Sequence, residues 1–337
     1  MSAMRSHSSR GFSLVELLVA LTVTLIVSGA VYGLLAGGST AFRREPALTD
    51  RQQNIRVAMD LISRDVLRAG YGLPQFAQAF TDSLNGLGPL GPGGDTTDEL
   101  EIFAASDCPP LEVCEISEQG TGSSLTTRQK ASGCYKFPLL VIIGDQHKWG
   151  LYWADDPGTG ASGACPGGSG PTNGHFRLPH GQAPLVNPPG GLAGWVPQWL
   201  MGGQAIRYRI SQDPQGVPNL ERSAFGGQVD SLGNSTWEVV ARGIEDLQVQ
   251  YMKEGVSGPT WLNVPGLIAC TNCTTPGVAD YATLVRRVRI RLSARALEPN
   301  LQGQTTSAVG PAVRGQLVTE VAPRAAATTL GMASGEL

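Results

Sequence analysis

The chain lacks most of what marks the common protein chemistries. No cluster of Lys and Arg interleaved with aromatics occurs, so the electrostatic footprint of a nucleic-acid binder is missing. No phosphate loop or Gly-rich dinucleotide turn stands between a strand-like and a helix-like segment, and no Ser/His/Asp set is arranged for nucleophilic attack. No enzyme and no cofactor are therefore expected. A single Cys-x-x-Cys is present, Cys270-Thr271-Asn272-Cys273; with no second pair, and with His175 and His180 far off in a Gly/Pro-rich stretch, a closed zinc site is not expected. The acidic runs at 95–99 and Asp155-Asp156 lack the spaced oxygen ligands and closing Glu of an EF-hand and read as solvated loop carboxylates. Charge of either sign is not in excess, since the formal net charge is −3, and no internal repeat is visible.

Charge is scarcest near the start. From Phe12 to Ala36 only Glu16 carries it. About 25 residues at ~1.5 Å each make a helix of roughly 37 Å, enough to cross a hydrocarbon core of ~30 Å with some tilt. An ionisable group inside such a segment costs up to ~3 kcal/mol, less near the interface, so Glu16 needs a functional reason and a partner. Cleavage between Gly11 and Phe12 would create one, an α-ammonium on Phe12 one helical turn from the carboxylate. Between neighbouring copies that pair would set the axial register of apolar helices that have few other means of choosing one. At ~4 Å and an effective dielectric of ~20 the attraction is about 4 kcal/mol before desolvation, so register is a firmer consequence than stability. An ordinary signal peptide is the competing reading, with Ala36-Gly37-Gly38 as small residues for a signal peptidase. Its apolar core is ~7 to 15 residues and carries no carboxylate, which counts against it.

The stretch Arg10-Gly11-Phe12-Ser13-Leu14-Val15-Glu16-Leu17-Leu18-Val19-Ala20-Leu21 resembles the N-terminal signature of type IV prepilins and of the related type II secretion pseudopilins. The resemblance implies that Gly11 is the last leader residue, that a membrane prepilin peptidase cuts after it and methylates Phe12, and that Glu16 guides filament assembly.

Beyond the span, residues 41–69 read as an amphipathic helix. Ile55, Ala58, Met59, Ile62, Val66 and Ala69 recur at three and four residues, with Arg51, Arg56, Asp60, Arg64 and Arg68 on other faces. Pro46 should kink this run or begin a new segment, with Thr49 or Asp50 as its cap. Gly70-Tyr71-Gly72-Leu73-Pro74 is a stop signal. Small-xxx-small spacing at Gly29 and Gly33 suits either a helix contact or a loosened helix end.

The remainder reads as β-rich, with the 44 Gly and 23 Pro of the chain supplying turns and long loops. Strands are expected at 100–104, 139–143, 148–153, 205–210, 237–241, 247–252 and 285–294; the second and third form a hairpin across residues 144–147. Cys108 and Cys114 are placed in a loop, and 154–194 in an extended surface loop. Val288, Ile290 and Leu292 face one side of the last strand and Arg287, Arg289, Arg291 and Ser293 the other, a solvated sheet face first and a docking surface second. Ile244, Leu247, Val249 and Tyr251 offer apolar positions against the helix stripe, and Gly243 a turn or bulge before them. With the basic leader (Arg5, Arg10) held in the cytoplasm, the bulk of the protein lies across the membrane, where disulfides form. Proximity suggests Cys108–Cys114, Cys134–Cys165 and Cys270–Cys273.

Two further stretches carry a weaker likeness. Residues 240–251 with 285–292 resemble the strand pair shared by PilW-like minor pilins and J-type minor pseudopilins, and 64–72 resemble the helix-to-head junction of the PilW-like proteins. The expectation is an α+β protein with leader (1–11), transmembrane and assembly helix (12–38), amphipathic helix packing on the head (39–72), antiparallel β head with long loops (73–325) and a flexible tail (326–337). The resemblance implies a minor pilin of a type IV pilus, held in the bacterial inner membrane by one span with its head in the periplasm and later displayed on a surface pilus. The head of about 260 residues favours the tip or a priming complex. Its partners would be other major and minor pilins, the prepilin peptidase and an inner-membrane assembly platform. A J-type pseudopilin is the alternative, and so is a tip adhesin using Trp149, Trp153, Trp195 and Trp199.

Overall fold

The computed structural model of the protein describes residues 12–73, 79–80, 86, 88–89, 91, 94–119, 122–129, 139–144, 149–153, 165, 174–179, 196–227, 235–255, 258–265, 285–297 and 313–324. The chain divides into two compact units, Met1–Asp50 and Arg51–Leu337. Helix α1 (Leu14–Leu67) contributes to both, and Pro46 lies inside it without starting a new segment. Thr49, expected as a cap, instead donates its hydroxyl to the Glu45 carbonyl at 3.0 Å, the i to i−4 bond of a helix interior.

The second unit is built from thirteen strands among the described residues: β1 (Leu100–Ala105), β2 (Leu111–Gln119), β3 (Gly122–Thr127), β4 (Leu139–Gly144), β5 (Trp149–Trp153), β6 (Gly174–Pro179), β7 (Pro197–Gln212), β8 (Pro218–Ser223), β9 (Trp237–Arg242), β10 (Ile244–Gly255), β11 (Gly258–Leu262), β12 (Val285–Arg295) and β13 (Arg314–Val321). All their pairings are antiparallel. A four-stranded sheet runs β11-β10-β12-β13, and a nine-stranded one runs β5-β4-β7-β2-β3-β6 with β1 and β8 also on β7, and β9 on β8.

The 16-residue β7 is the spine of the larger sheet. Its first half pairs with β2 and β4, its second with β1 and β8. Only 205–210 of it was expected, and the strand runs on through Gly202-Gly203. Gly202 is where the chain after β1 crosses: Ser106 donates its N–H to the Gly202 carbonyl at 2.7 Å, and its hydroxyl fills the place a Cβ would take.

The main core closes the second part of α1 against both sheets. Ile55, Ala58, Met59, Ile62, Val66 and Ala69 bury against Leu247, Val249 and Tyr251 of β10, Val288, Ile290 and Leu292 of β12, and Ile206, Tyr208 and Ile210 of β7. Each fully buried Ile or Leu stabilises by about 1.5–3 kcal/mol before entropy is counted. The apolar stripe and the alternation in β10 and β12 thus meet as expected. Gly243, at φ 80°, makes the turn into β10: its carbonyl accepts the Arg295 N–H at 2.8 Å, and a register shift follows between Ile244 and Asp246. Where β11 stops, Asp98 takes over the edge of β10, donating its N–H to the Leu247 carbonyl and accepting the Val249 N–H on Oδ2, each at 2.8 Å.

A second core lies among β2–β7, with Leu111, Val113, Leu125, Leu140, Ile142, Tyr152, Phe176 and Leu200. The expected 139–153 hairpin is present as β4–β5. Two expectations fail here. Cys114 is in strand β2, not a loop, and the stretch 154–194 contains β6, which pairs residue for residue with β3.

Candidate assembly site

At the start of α1, Ser13 precedes the first helical residue and its carbonyl accepts the Leu17 N–H at 3.1 Å, so Ser13 is the N-cap. Glu16 falls in the first turn, where a carboxylate faces unpaired N–H groups and the positive end of the helix dipole. It is exposed, as are Phe12 before it and Leu14, Leu17, Leu18, Leu21, Leu25 and Ile26 after it. Leu14–Gly38 has a mean hydropathy of 2.3 and is long and apolar enough, by length and composition, to cross a membrane. Thr22 and Thr24 donate their hydroxyls to the carbonyls of Val19 and Ala20 at 2.9 and 2.7 Å, so their polar groups are satisfied within the helix. Among the described residues, and apart from the adjoining helix itself, nothing approaches Gly29 or Gly33 within 4 Å of where a side chain would start. Gly11 lies outside the described residues.

In the second unit a polar group was missed by the sequence reading. Asp65 sits within the stripe of Ile62, Val66 and Ala69 and is 6% exposed. Its Oδ2 accepts the Tyr208 hydroxyl at 2.5 Å and Arg222 Nε at 2.9 Å. Burial first, and then the neighbouring carboxylate, hold the Tyr208 hydroxyl well above its ordinary pKa, so it remains a donor. The signal was available: an Asp three residues from Ile62 and four from Ala69 lies on the apolar face and requires buried partners.

On the outward face of the smaller sheet, Arg289 lies 4.0 Å over the Trp261 ring and bonds Glu320 at 2.7 Å. Arg287 reaches Glu320 at 3.7 Å and Arg291 reaches Asp246 at 3.9 Å. The arginine row is therefore paired within the sheet. Trp199 is 44% exposed on β7. Trp149 and Trp153 fall in β5, His175 falls in β6, and Trp195 and His180 lie outside the described residues.

Between described residues a disulfide joins Cys114 and Cys165, with Cα atoms 5.5 Å apart. This corrects the expected Cys108–Cys114 and Cys134–Cys165 pairs. Cys108 sits at a bend after β1, and β2, rising ~3.3 Å per residue, carries Cys114 away from it. Cys108 is disulfide-bonded as well. Cys134, Cys270 and Cys273 lie outside the described residues.

An exposed apolar rod with one carboxylate in its first turn, joined in sequence to an antiparallel β unit, is an α+β architecture consistent with a pilin-like fold. Residues 6–32 match the family model described as the prokaryotic N-terminal methylation motif, which supports a type IV prepilin-like protein with an inner-membrane anchor. The motif supports a type IV pilin-like or pseudopilin protein processed by prepilin peptidase. Comparison with curated proteins and with solved structures returns no match.

Proposed function

We propose that the protein is a minor pilin of a type IV pilus. Prepilin peptidase cuts between Gly11 and Phe12 and methylates Phe12; the Glu16 carboxylate then pairs with the Phe12 ammonium of a neighbouring subunit. The observation that carries this reading is the solitary, exposed Glu16 in the first turn of an apolar helix matching the methylation motif. Lipid and a filament core of like helices are similarly apolar, so burial alone does not drive the transfer between them. An external assembly motor and an inner-membrane platform supply the work, and other major and minor pilins supply the neighbouring helices. The bulky head suits the tip or a priming complex better than a repeating shaft position.

The J-type pseudopilin of a type II secretion system is the second reading, because the β10–β12 pair carries the stretches likened to both families. Intact mass of the protein purified from its own host tests the first step. A mature chain beginning at methylated Phe12 supports it; a chain beginning at Met1 or Ser39 overturns it. Recovery in sheared surface filaments, and not only in a secretion complex, separates the two readings.

A further inference from the structure

Three acidic and two basic side chains share the outward face where β1, β7 and β8 lie side by side. Glu99 holds Arg207 at 2.6 Å and Glu221 holds Arg209 at 2.9 Å. Glu101 stands opposite Arg207 in the β1–β7 register, is only 7% exposed, and makes no ion pair or hydrogen bond among the described residues. The next positions across the sheet, Ser223 and Trp237, bring no charge.

A glycine turn covers this carboxyl. Ser223 Oγ accepts the N–H groups of Phe225 and Gly227 at 3.2 and 3.1 Å, and Gly226 donates to the Ala205 carbonyl at 2.7 Å. Gly226 and Gly227 have φ of 63° and 78°. A Cβ on Gly226 would stand 2.9 Å from Glu101 Oε1, and one on Gly227 would stand 2.6 Å from the Trp237 ring. The cover over Glu101 is thus bare backbone whose N–H groups are committed elsewhere. A neutral acid fits beneath it; an anion there would have neither a donor nor a cation of its own.

We propose that Glu101 is a proton-operated latch for the turn at residues 225–227: the neutral acid lets the turn seat on the sheet, and loss of the proton lifts it away from Trp237. Lifting admits water and lets Glu101 share Arg207 with Glu99. Burial first, offset by Arg207 and reinforced by Glu99, pushes the Glu101 carboxyl up to about 7, so the latch works near neutral pH.

The test is hydrogen exchange of the full-length protein in detergent micelles, corrected for the intrinsic pH dependence of exchange. With the closed-state value near 7 and the free value near 4.5, protection of Gly226 and Gly227 should fall about tenfold between pH 6 and pH 8 while β10 amides hold steady. Glu101→Gln should keep the acid-state protection at both pH values. Gly226→Ala, strained at positive φ and crowded against Glu101, should leave the turn open at both. Equal wild-type protection at pH 6 and 8, or the same fall in Glu101→Gln, overturns the proposal. Where Glu101→Gln does not fold, the wild-type profile decides: the fall must level off above about pH 7, and one that continues unchanged overturns it.

Discussion

Tyr208 donates its hydroxyl to Asp65 Oδ2 at 2.5 Å across 143 residues of sequence, and Arg222 Nε meets the same oxygen at 2.9 Å. One carboxylate on α1 therefore binds β7 and β8 at once, in a site where Tyr208 is fully buried. Apolar packing sets how closely the helix seats; this directional group sets which way it is rotated and how far along the sheet it lies. Removing the acceptor strands a buried hydroxyl and a partly buried guanidinium. Asp65→Ala should cost about 3–5 kcal/mol, and Tyr208→Phe, which removes one donor and leaves Arg222 in place, about 1–2 kcal/mol. Urea unfolding of the two variants checks the order; equal losses would mean that the hydroxyl bond alone matters.

Gly243 makes a separate claim on stability. It has φ 80°, and a Cβ there would stand 2.8 Å from the Arg295 carbonyl oxygen and 3.2 Å from Leu297. Gly243→Ala combines left-handed strain with a clash against backbone, which cannot move aside as a flexible side chain can. The expected cost is about 1–3 kcal/mol, read as a lower midpoint in thermal unfolding.

How far the sequence revealed this structure follows from which residues touch near neighbours and which touch distant ones. The helix stripe from Ile55 to Ala69 and the alternation of Val288, Ile290 and Leu292 are local periodicities, and both proved to be core faces. β3 and β6 are short and glycine-bearing, and their strand character comes from pairing, β3 between β2 and β6 and β6 on β3. The Cys114–Cys165 bond depends on that same long-range arrangement, so proximity in sequence misled. Asp65 is legible from spacing alone, which puts it on the buried side with Ile62 and Ala69, but its partners Tyr208 and Arg222 are distant in sequence. Of the two outcomes expected at Pro46, a kink or a new segment, the second does not occur, because the helix runs through it.

The cysteine pairing is checked by peptide mapping without reduction. A cross-linked peptide pair containing Cys114 and Cys165 is expected, and Cys114→Ser should free the Cys165 thiol specifically. The bond closes a loop with a sequence separation of 51, so on the chain-entropy account its loss should cost about 4 kcal/mol. A free Cys108 in the Cys114→Ser protein would restore the neighbour pairing instead.

Global stability should also carry the mark of Glu101. Its folded-state value is raised from 4.5 to about 7, so the folded state binds the proton more tightly than the unfolded one. The contribution is fully present below about pH 4.5, declines as pH rises through 7, and is absent above that. The full difference is up to about 3 kcal/mol, less to the extent that the 225–227 turn opens and relieves the anion. Wild type minus Glu101→Gln, measured by urea unfolding at several pH values, should slope downward between these limits and flatten outside them.

Glu16 tests the functional reading without disturbing the fold, because it lies in the first compact unit and is exposed. Glu16→Ala leaves the apolar length of Leu14–Gly38 intact and removes a charge that opposes insertion, so membrane recovery should equal or exceed wild type. If the carboxylate sets register between neighbouring helices, the same variant should be lost from sheared filaments by at least about tenfold, an effect of about 1.4 kcal/mol or more per contact. Glu16→Asp keeps the charge on a shorter arm and should assemble partially, since an ammonium one methylene too far is held more weakly but still attracted. Recovery of Glu16→Ala in filaments at the wild-type level would show that the helices choose their register by packing alone, leaving the carboxylate to the helix N-terminus it already faces.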